Sequence, residues 1–540
     1  MSQSDLTHER QRWFFILGQL PVSILLLILC GCAVYCISQR IAYPFEIEWL
    51  ENDTVTHGMM LVKEHTLYAA PSTEFISELY PPVYYLVTAL FYKLFDTVNF
   101  LIPRLISVMS LAGILILMYL IPVKEGGRRN IGLMAGGFFL SLYELHDTWY
   151  DLARVDMLFF FLLLLGCYIL AYAQRKTMAA LWGAIILVLA CYTKQSGVYF
   201  LPFAAAYLFF KDRKQCVIFS SAAFVLLVSF FFALQYATDG WFGTFVLFNP
   251  LRYYQVTTKP VSELQFQLLF EMRHKLYPEM RYEILYKLPV FFVLALAFLL
   301  QRALSITKKP ALAIWEYTAV AAAFAYFSVR PHPGTMINDL MYMTVWGCIL
   351  LGLFLVKLTG PEYSDVRDSK RVTVYLLLAV QLCLLLYNPK PLVPTPQDVK
   401  KGRELISMVK SMPGEVYLPY HSWYGVMAGK HMIFNGGAYW AYQILAKELF
   451  IPEDLIEKIK KKYFSAIIID DQGYLTAKGE RVVIDNVKLL LTSGDAVSKA
   501  VAENYRIAER IPYSTNKEFR TIACFQTRPE LILVPKDTRP

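Results

Sequence analysis

A chain of 540 residues, 56% of them apolar and only 18% charged, carries more hydrophobic surface than an aqueous fold can hide. Soluble domains average about a quarter charged, so the composition excludes an ordinary water-soluble enzyme. The net charge of +9 would suit a nucleic-acid partner, but the basic residues follow a topological pattern, developed below, that excludes it.

Spanning a bilayer as a helix takes roughly 17–25 apolar residues. Residues 13–38 are the first such run, too long for a cleaved signal and without a small-residue cleavage site, so an uncleaved anchor is expected. An acidic segment, 40–80, follows. Tyr80-Pro81-Pro82-Val83-Tyr84-Tyr85 then opens a short apolar helix to Phe95, read as interfacial or re-entrant because a full span here would reverse every later loop. Further runs fall at 101–121, 131–143, 157–173, 178–193, 198–210 and 217–236. A long insertion, 237–287, carries Arg252, Tyr253, Arg273 and His274 and is expected to lie on the membrane surface. Runs at 288–300, 311–329, 337–356 and 372–387 complete about eleven spans.

With the N-terminus in the cytoplasm, alternate turns hold Lys124, Arg128 and Arg129, then Arg175 and Lys176, then Lys211, Arg213 and Lys214, then Arg302, Lys308 and Lys309, then Lys357, Arg367, Lys370 and Arg371. That is the positive-inside pattern. It accounts for the excess charge and places 40–80, 237–287 and everything after Pro389 outside.

The Pro-rich break Asn388-Pro389-Lys390-Pro391 separates a membrane module, 1–390, from a C-terminal domain, 391–540. Helix-like stretches there (400–410, 452–463) alternate with strand-like ones (415–419, 466–470, 521–525), which predicts a small α/β fold. Asn435-Gly436-Gly437 reads as a turn rather than a nucleotide loop. The nine cysteines, three of them (Cys30, Cys32, Cys36) in the first span, show neither a disulfide framework nor metal-ligand spacing.

Two groups of residues could carry chemistry. Glu46, Glu48 and Glu51 crowd together just after a membrane exit, and crowding with partial burial raises carboxylate pKa toward that of a general base. A merely solvated acidic loop accounts for the same residues. Arg154, Lys194 and Arg330 each sit at an outer boundary, where Lys and Arg should be scarce. Three cations from three loops of one face suit a phosphate, although any one of them is explained by snorkelling. Asp156 is expected to pair with Arg154 or to help bind an acceptor, and Arg330-Pro331-His332 is a rigid turn that brings His332 to the same face.

The order of an acidic segment, Gly58, Leu67-Tyr68, Tyr80-Pro81-Pro82-Val83-Tyr84-Tyr85, Arg104-Leu105-Ile106-Ser107, Ala153-Arg154-Val155-Asp156 and Thr193-Lys194-Gln195 resembles the GT-C superfamily of membrane glycosyltransferases, in particular bacterial relatives of protein O-mannosyltransferases and lipid A aminoarabinose transferases. The likeness covers 45–210 well and the rest only in layout. It implies inverting transfer from a polyprenyl- or dolichyl-phosphate sugar, in a bacterial inner membrane, to a glycan, lipid or protein acceptor. The family's base is an acid in the first outer loop, usually an adjacent Asp-Glu pair. Here the pattern is Glu46-x-Glu48-x-x-Glu51, and Glu48 is favoured. An ionised phosphate leaving group needs cations rather than a general acid, so no cofactor is expected, although the acidic residues could hold a divalent metal. The competing class, a transporter or lipid flippase, would place ionisable residues mid-membrane, and a third, a polysaccharide polymerase or ligase, would share lipid-linked substrates but join longer glycans. The spans are nearly free of charge; Glu316 and Asp339 are the main exceptions, and both lie toward span ends.

Overall fold

The computed structural model describes residues 3–248, 250, 282–304, 313–330, 336–359, 368–434, 453–475, 481–484 and 496–537. His332, most of the 237–287 insertion, including Arg252, Tyr253, Arg273 and His274, and the Asn435-Gly436-Gly437 turn lie outside the described residues.

The apolar runs form helices. In chain order they are α1 (Gln3–Arg40), α2 (Glu51–Lys63), α3 (Val83–Phe95), α4 (Leu101–Lys124), α5 (Arg129–Ser141), α6 (Asp156–Tyr172), α7 (Lys176–Cys191), α8 (Phe200–Lys211) and α9 (Arg213–Ala237), followed by Pro289–Leu304, Ile314–Val329, Met341–Thr359 and Asp368–Cys383. Among the described residues, four stretches are long and apolar enough to cross a bilayer by length and composition: Gly18–Arg40, Leu101–Lys124, Arg213–Ala237 and Ile337–Thr359. The chain is an integral membrane protein. Ile337–Thr359 is 83% buried and forms the centre of the bundle, whereas Arg213–Ala237 is 11% buried. The latter turns Val217, Phe224, Val225 and Phe232 outward, where hydrocarbon rather than water must cover them.

The acidic segment after α1 is not a solvated loop. Residues 51–63 of it form α2, in which Glu51 to Met59 are all buried. α3 packs across α2 with Tyr84, Tyr85, Thr88, Ala89 and Tyr92 inward. Leu86, Leu90 and Leu94, four apart and so on one face, stay exposed. This amphipathic helix fits the interfacial reading of 83–95. Gly58 permits the α2–α3 crossing, because a Cβ there would lie 2.8 Å from the Tyr92 ring.

Beyond the proline break, Thr395 and Asp398 form a reciprocal capping box that starts helix Pro396–Ser411. A five-stranded sheet follows: β1 (Glu415–Tyr417), β2 (Phe464–Leu475), β3 (Arg481–Ile484), β4 (Tyr505–Arg510) and β5 (Phe525–Pro535). The order is β1-β2-β5-β4, with β3 also on β2. β1 and β2 run parallel (Val416 opposite Ala466), and the other pairs are antiparallel (Ile468 opposite Ile532). The strand expected at 521–525 is displaced: β5 starts at Phe525. Residues 522 and 523 instead pair with the segment after α1, both amides donating to Ile47 O at 2.7 and 3.1 Å.

Candidate active site

The sequence motifs are wired to one another. Arg104 forms a bidentate pair with Glu51 (2.9 and 2.6 Å) and donates to the carbonyls of Tyr43 (2.6 Å) and Phe45 (2.7 Å), which fixes the chain where it leaves α1. Glu51 also accepts the backbone N–H groups of Ile47 (2.7 Å) and Ala153 (2.8 Å). Ser107 donates to Arg154 O at 3.3 Å and shares a 3.0 Å bond with the Tyr84 hydroxyl. Tyr68 donates to Tyr80 O at 2.7 Å. Gln195 donates to Leu79 O and, at 3.1 Å, to Val246 O, so Thr193-Lys194-Gln195 staples the Tyr-Pro-Pro turn to the end of α7.

Within this frame the three glutamates part company, although each is buried. For Glu51, burial alone would raise the carboxyl pKa, but the Arg104 guanidinium and two backbone amides override it and hold the pKa below its usual range. Glu46 turns toward the C-terminal domain and accepts from His421 Nδ1, while His421 Nε2 donates to Asp470 at 2.6 Å. Burial pushes the Glu46 carboxyl up to about 7 against the pull of His421. Glu48 accepts one backbone bond, from Leu50 at 3.1 Å, and faces Arg154 Nε at 3.9 Å. Among the described residues its Oε1 has no hydrogen-bond partner, nor has Glu46 Oε1. Burial pushes the Glu48 carboxyl up to about 8, with Arg154 opposing.

The cations expected on three loops are brought into one chain of contacts. Arg154 lies over the rings of Tyr80 and Trp149, 5.7 Å from each. Trp149 donates its indole N–H to Asp156 at 2.7 Å, and the other Asp156 oxygen takes Lys194 at 2.8 Å. Asp156 is therefore the direct partner of Lys194 rather than of Arg154, because its position at the start of α6 turns it toward the α7 end. Lys194 also lies 3.8 Å from Asp339 and over the Tyr342 ring. Arg330, 2% exposed, interacts electrostatically with Asp339. Among the described residues no group of three or more His, Cys, Asp or Glu is arranged to hold a metal ion.

Sequence reading missed His421 and Asp470 altogether, and saw Asp339 only as a charge interrupting a span. His421 meets Glu46 across 375 residues, and no local pattern marks such a pair.

No protein family and no curated protein matches the sequence. Solved structures do. The crystal structure of ArnT from Cupriavidus metallidurans in the apo state aligns over 86% of this chain and 97% of its own, with 12% identity and a TM-score of 0.50. The same protein bound to undecaprenyl phosphate aligns over 95% and 97%, with 10% identity and a TM-score of 0.50. This chain therefore shares the fold of ArnT. The oligosaccharyltransferase AglB from Archaeoglobus fulgidus, in complex with an inhibitory peptide and a dolichol-phosphate, also matches over 92% of this chain and 80% of its own, with 12% identity and a TM-score of 0.49. The resemblance read from the motifs thus holds at the level of fold.

Proposed function

We propose that this protein is an inverting glycosyltransferase that moves a sugar from a polyprenyl- or dolichyl-phosphate carrier to an acceptor hydroxyl at the outer membrane face. The observation that carries the reading is the buried Glu48, with one oxygen unpartnered among the described residues, beside Arg154 and at the head of the Arg154–Asp156–Lys194–Asp339–Arg330 chain. The undecaprenyl phosphate bound by ArnT, whose fold this chain shares, favours the same class of donor.

In this reading Arg154, Lys194 and Arg330 bind the donor phosphate, Arg through a bidentate fork and Lys as a point charge. His332, two residues after Arg330 in the sequence, assists in binding the donor phosphate. Glu48 takes the proton of the acceptor hydroxyl as its oxygen attacks the anomeric carbon. The bond from that carbon to the phosphate oxygen breaks with inversion, and the polyprenyl phosphate leaves already ionised. Asp156 orients Lys194. Glu51, with both oxygens engaged, and Glu46, held by His421, shape the loop that carries Glu48. The expected setting is a bacterial inner membrane with the C-terminal domain extracytoplasmic and about eleven spans around the site.

The test incubates membranes with and without the protein with radiolabelled undecaprenyl- and dolichyl-phosphate sugars. Protein-dependent release of lipid phosphate with transfer of label is the expected result, and mass spectrometry then identifies the acceptor. Movement of intact lipid-linked sugar across the bilayer without release would overturn the reading in favour of a flippase.

A further inference from the structure

One buried ionic group near the site takes no part in the chemistry above. His421, 1% exposed, offers both ring nitrogens to carboxylates, Nδ1 to Glu46 and Nε2 to Asp470. With both carboxylates ionised, the ring must donate from both nitrogens, which makes it an imidazolium. Glu46 lies two residues from Glu48, and Asp470 belongs to β2. The Tyr424 ring stacks on the imidazole at 4.8 Å and 4°, and its hydroxyl accepts the Glu46 N–H at 3.3 Å.

The C-terminal domain grips the same few residues at further points. Ile47 O takes the amides of Ile522 and Ala523. Ser422 donates to Asn52 at 2.7 Å. Phe45 stands edge-on to Tyr424 and Phe519, and it fits only because residue 402 is glycine: a Cβ there would collide with the Phe45 ring. Apolar packing alone could bury this seam with no desolvation penalty. An ion triplet costs more to bury but accepts only one geometry.

We propose that His421 is a positioning residue: through Glu46 it sets the backbone that aims Glu48 at Arg154, so the C-terminal domain completes the active site. The inference rests on the transferase reading for its kinetic test but has a readout of its own. The charged and titratable groups around the ring are Glu46 and Glu51 from the loop and α2, Asp470 and Asp471 from β2, Arg520 paired with Asp471, and Tyr43 and Tyr424. Burial opposes the imidazolium, but Asp470 and Glu46 outweigh it and raise the ring to about 10.

Two variants test this, His421→Gln and Asp470→Asn. His421→Gln should lower kcat about 10–100-fold, with binding of the probe undecaprenyl phosphate within twofold of wild type, and should speed hydrogen–deuterium exchange of the peptide covering 45–51. Asp470→Asn removes one of the two carboxylates, so the ring should lose its proton at a lower pH. Its kcat should approach wild type at pH 7 and fall tenfold or more by pH 9.5, with loop exchange rising over the same range after correction for intrinsic rates. A packing role alone would lower activity by the same factor at every pH, and that result overturns the proposal, as does unchanged loop exchange in both variants. If His421→Gln does not fold, Asp470→Asn alone decides. If the loop responds as described while wild-type protein transfers no sugar, the transferase reading fails and the positioning of the loop stands.

Discussion

Replacing Glu48 with Gln tests the proposed base most directly, because the substitution alters its proton chemistry and little else. The side chain keeps its length, and the amide oxygen can still accept the Leu50 N–H that Glu48 holds at 3.1 Å. The amide has no basic oxygen for the acceptor's proton, so transfer should slow by about 10²–10⁴, or roughly 2.7–5.4 kcal/mol in barrier. Because the carboxyl is pushed up to about 8, only about a tenth of the free protein holds an ionised Glu48 at pH 7, and about 1% at pH 6. Wild-type kcat/KM should therefore climb nearly tenfold per pH unit below 8 and level off above it, whereas the Gln variant should lose that rise.

The same shift has a stability consequence of opposite sign. A carboxyl whose folded pKa lies above its unfolded value near 4.5 costs the fold free energy as the pH rises from there to about 8. Gln never ionises, so at pH 9 Glu48→Gln should be more stable than wild type in the same detergent by on the order of a few kcal/mol, seen as a higher unfolding temperature. The assays are initial rates of lipid-phosphate release between pH 6 and 9.5 and thermal unfolding at pH 5 and 9, with Glu46→Gln and Glu51→Gln in parallel. A Glu48→Gln protein within threefold of wild type at pH 8, or a wild-type rate flat between pH 6 and 8, would refute the assignment. Loss of the pH rise in Glu46→Gln instead would move the base to that residue.

Arg154→Gln and Lys194→Gln should each weaken binding of undecaprenyl phosphate about 10–150-fold, the equivalent of a charge-assisted contact worth ~1.5–3 kcal/mol, measured by equilibrium binding in detergent. Arg154→Gln should also move the rise in rate to higher pH, because Arg154 opposes the upward shift of Glu48. Glu51→Gln should act on the fold rather than the reaction, leaving the Arg104 guanidinium half-satisfied in the interior at a cost of ~3–5 kcal/mol. Since the Glu51 carboxyl is held low, the deficit should be complete at neutral pH and shrink as the pH falls below the ordinary carboxylate range in thermal unfolding scans. A cysteine placed at Lys461, whose side chain is 75% exposed, should react with an impermeant maleimide in intact cells, and labelling only after lysis would reverse the orientation.

How much of this was legible depended on distance along the chain. The helices were readable because an apolar run specifies one locally, and the α3 assignment to 83–95 came from the proline pair and the run after it. The expected strand at 521–525 was misplaced because its amides are claimed by Ile47, in a segment far away in sequence. The cations were legible as violations of the charge rule, but their partners were not. Asp156 reads as a partner of Arg154, its near neighbour in the chain, or as an aid to acceptor binding, and the sequence gives no sign that its ion pair reaches across to Lys194.

The three glutamates make the same point in energetic terms. They lie within six residues, and although the sequence favours Glu48, the spacing alone does not show what sets it apart. What separates them is what the fold supplies from elsewhere: a guanidinium on α4 for Glu51, an imidazolium from the C-terminal domain for Glu46, and for Glu48 one amide and a cation at 3.9 Å. A buried carboxylate with all its acceptor capacity filled is held ionised or bonded and has nothing left to offer a substrate. Glu46 and Glu48 each keep one oxygen unpartnered among the described residues, but Glu46 is bonded to an imidazolium and Glu48 only to an amide, so Glu48 is the less stable anion and gains more by taking a proton. The incomplete satisfaction that makes Glu48 the least comfortable of the three is thus the property a general base requires. It can be recognised only once the residues that satisfy the other two are in place around it.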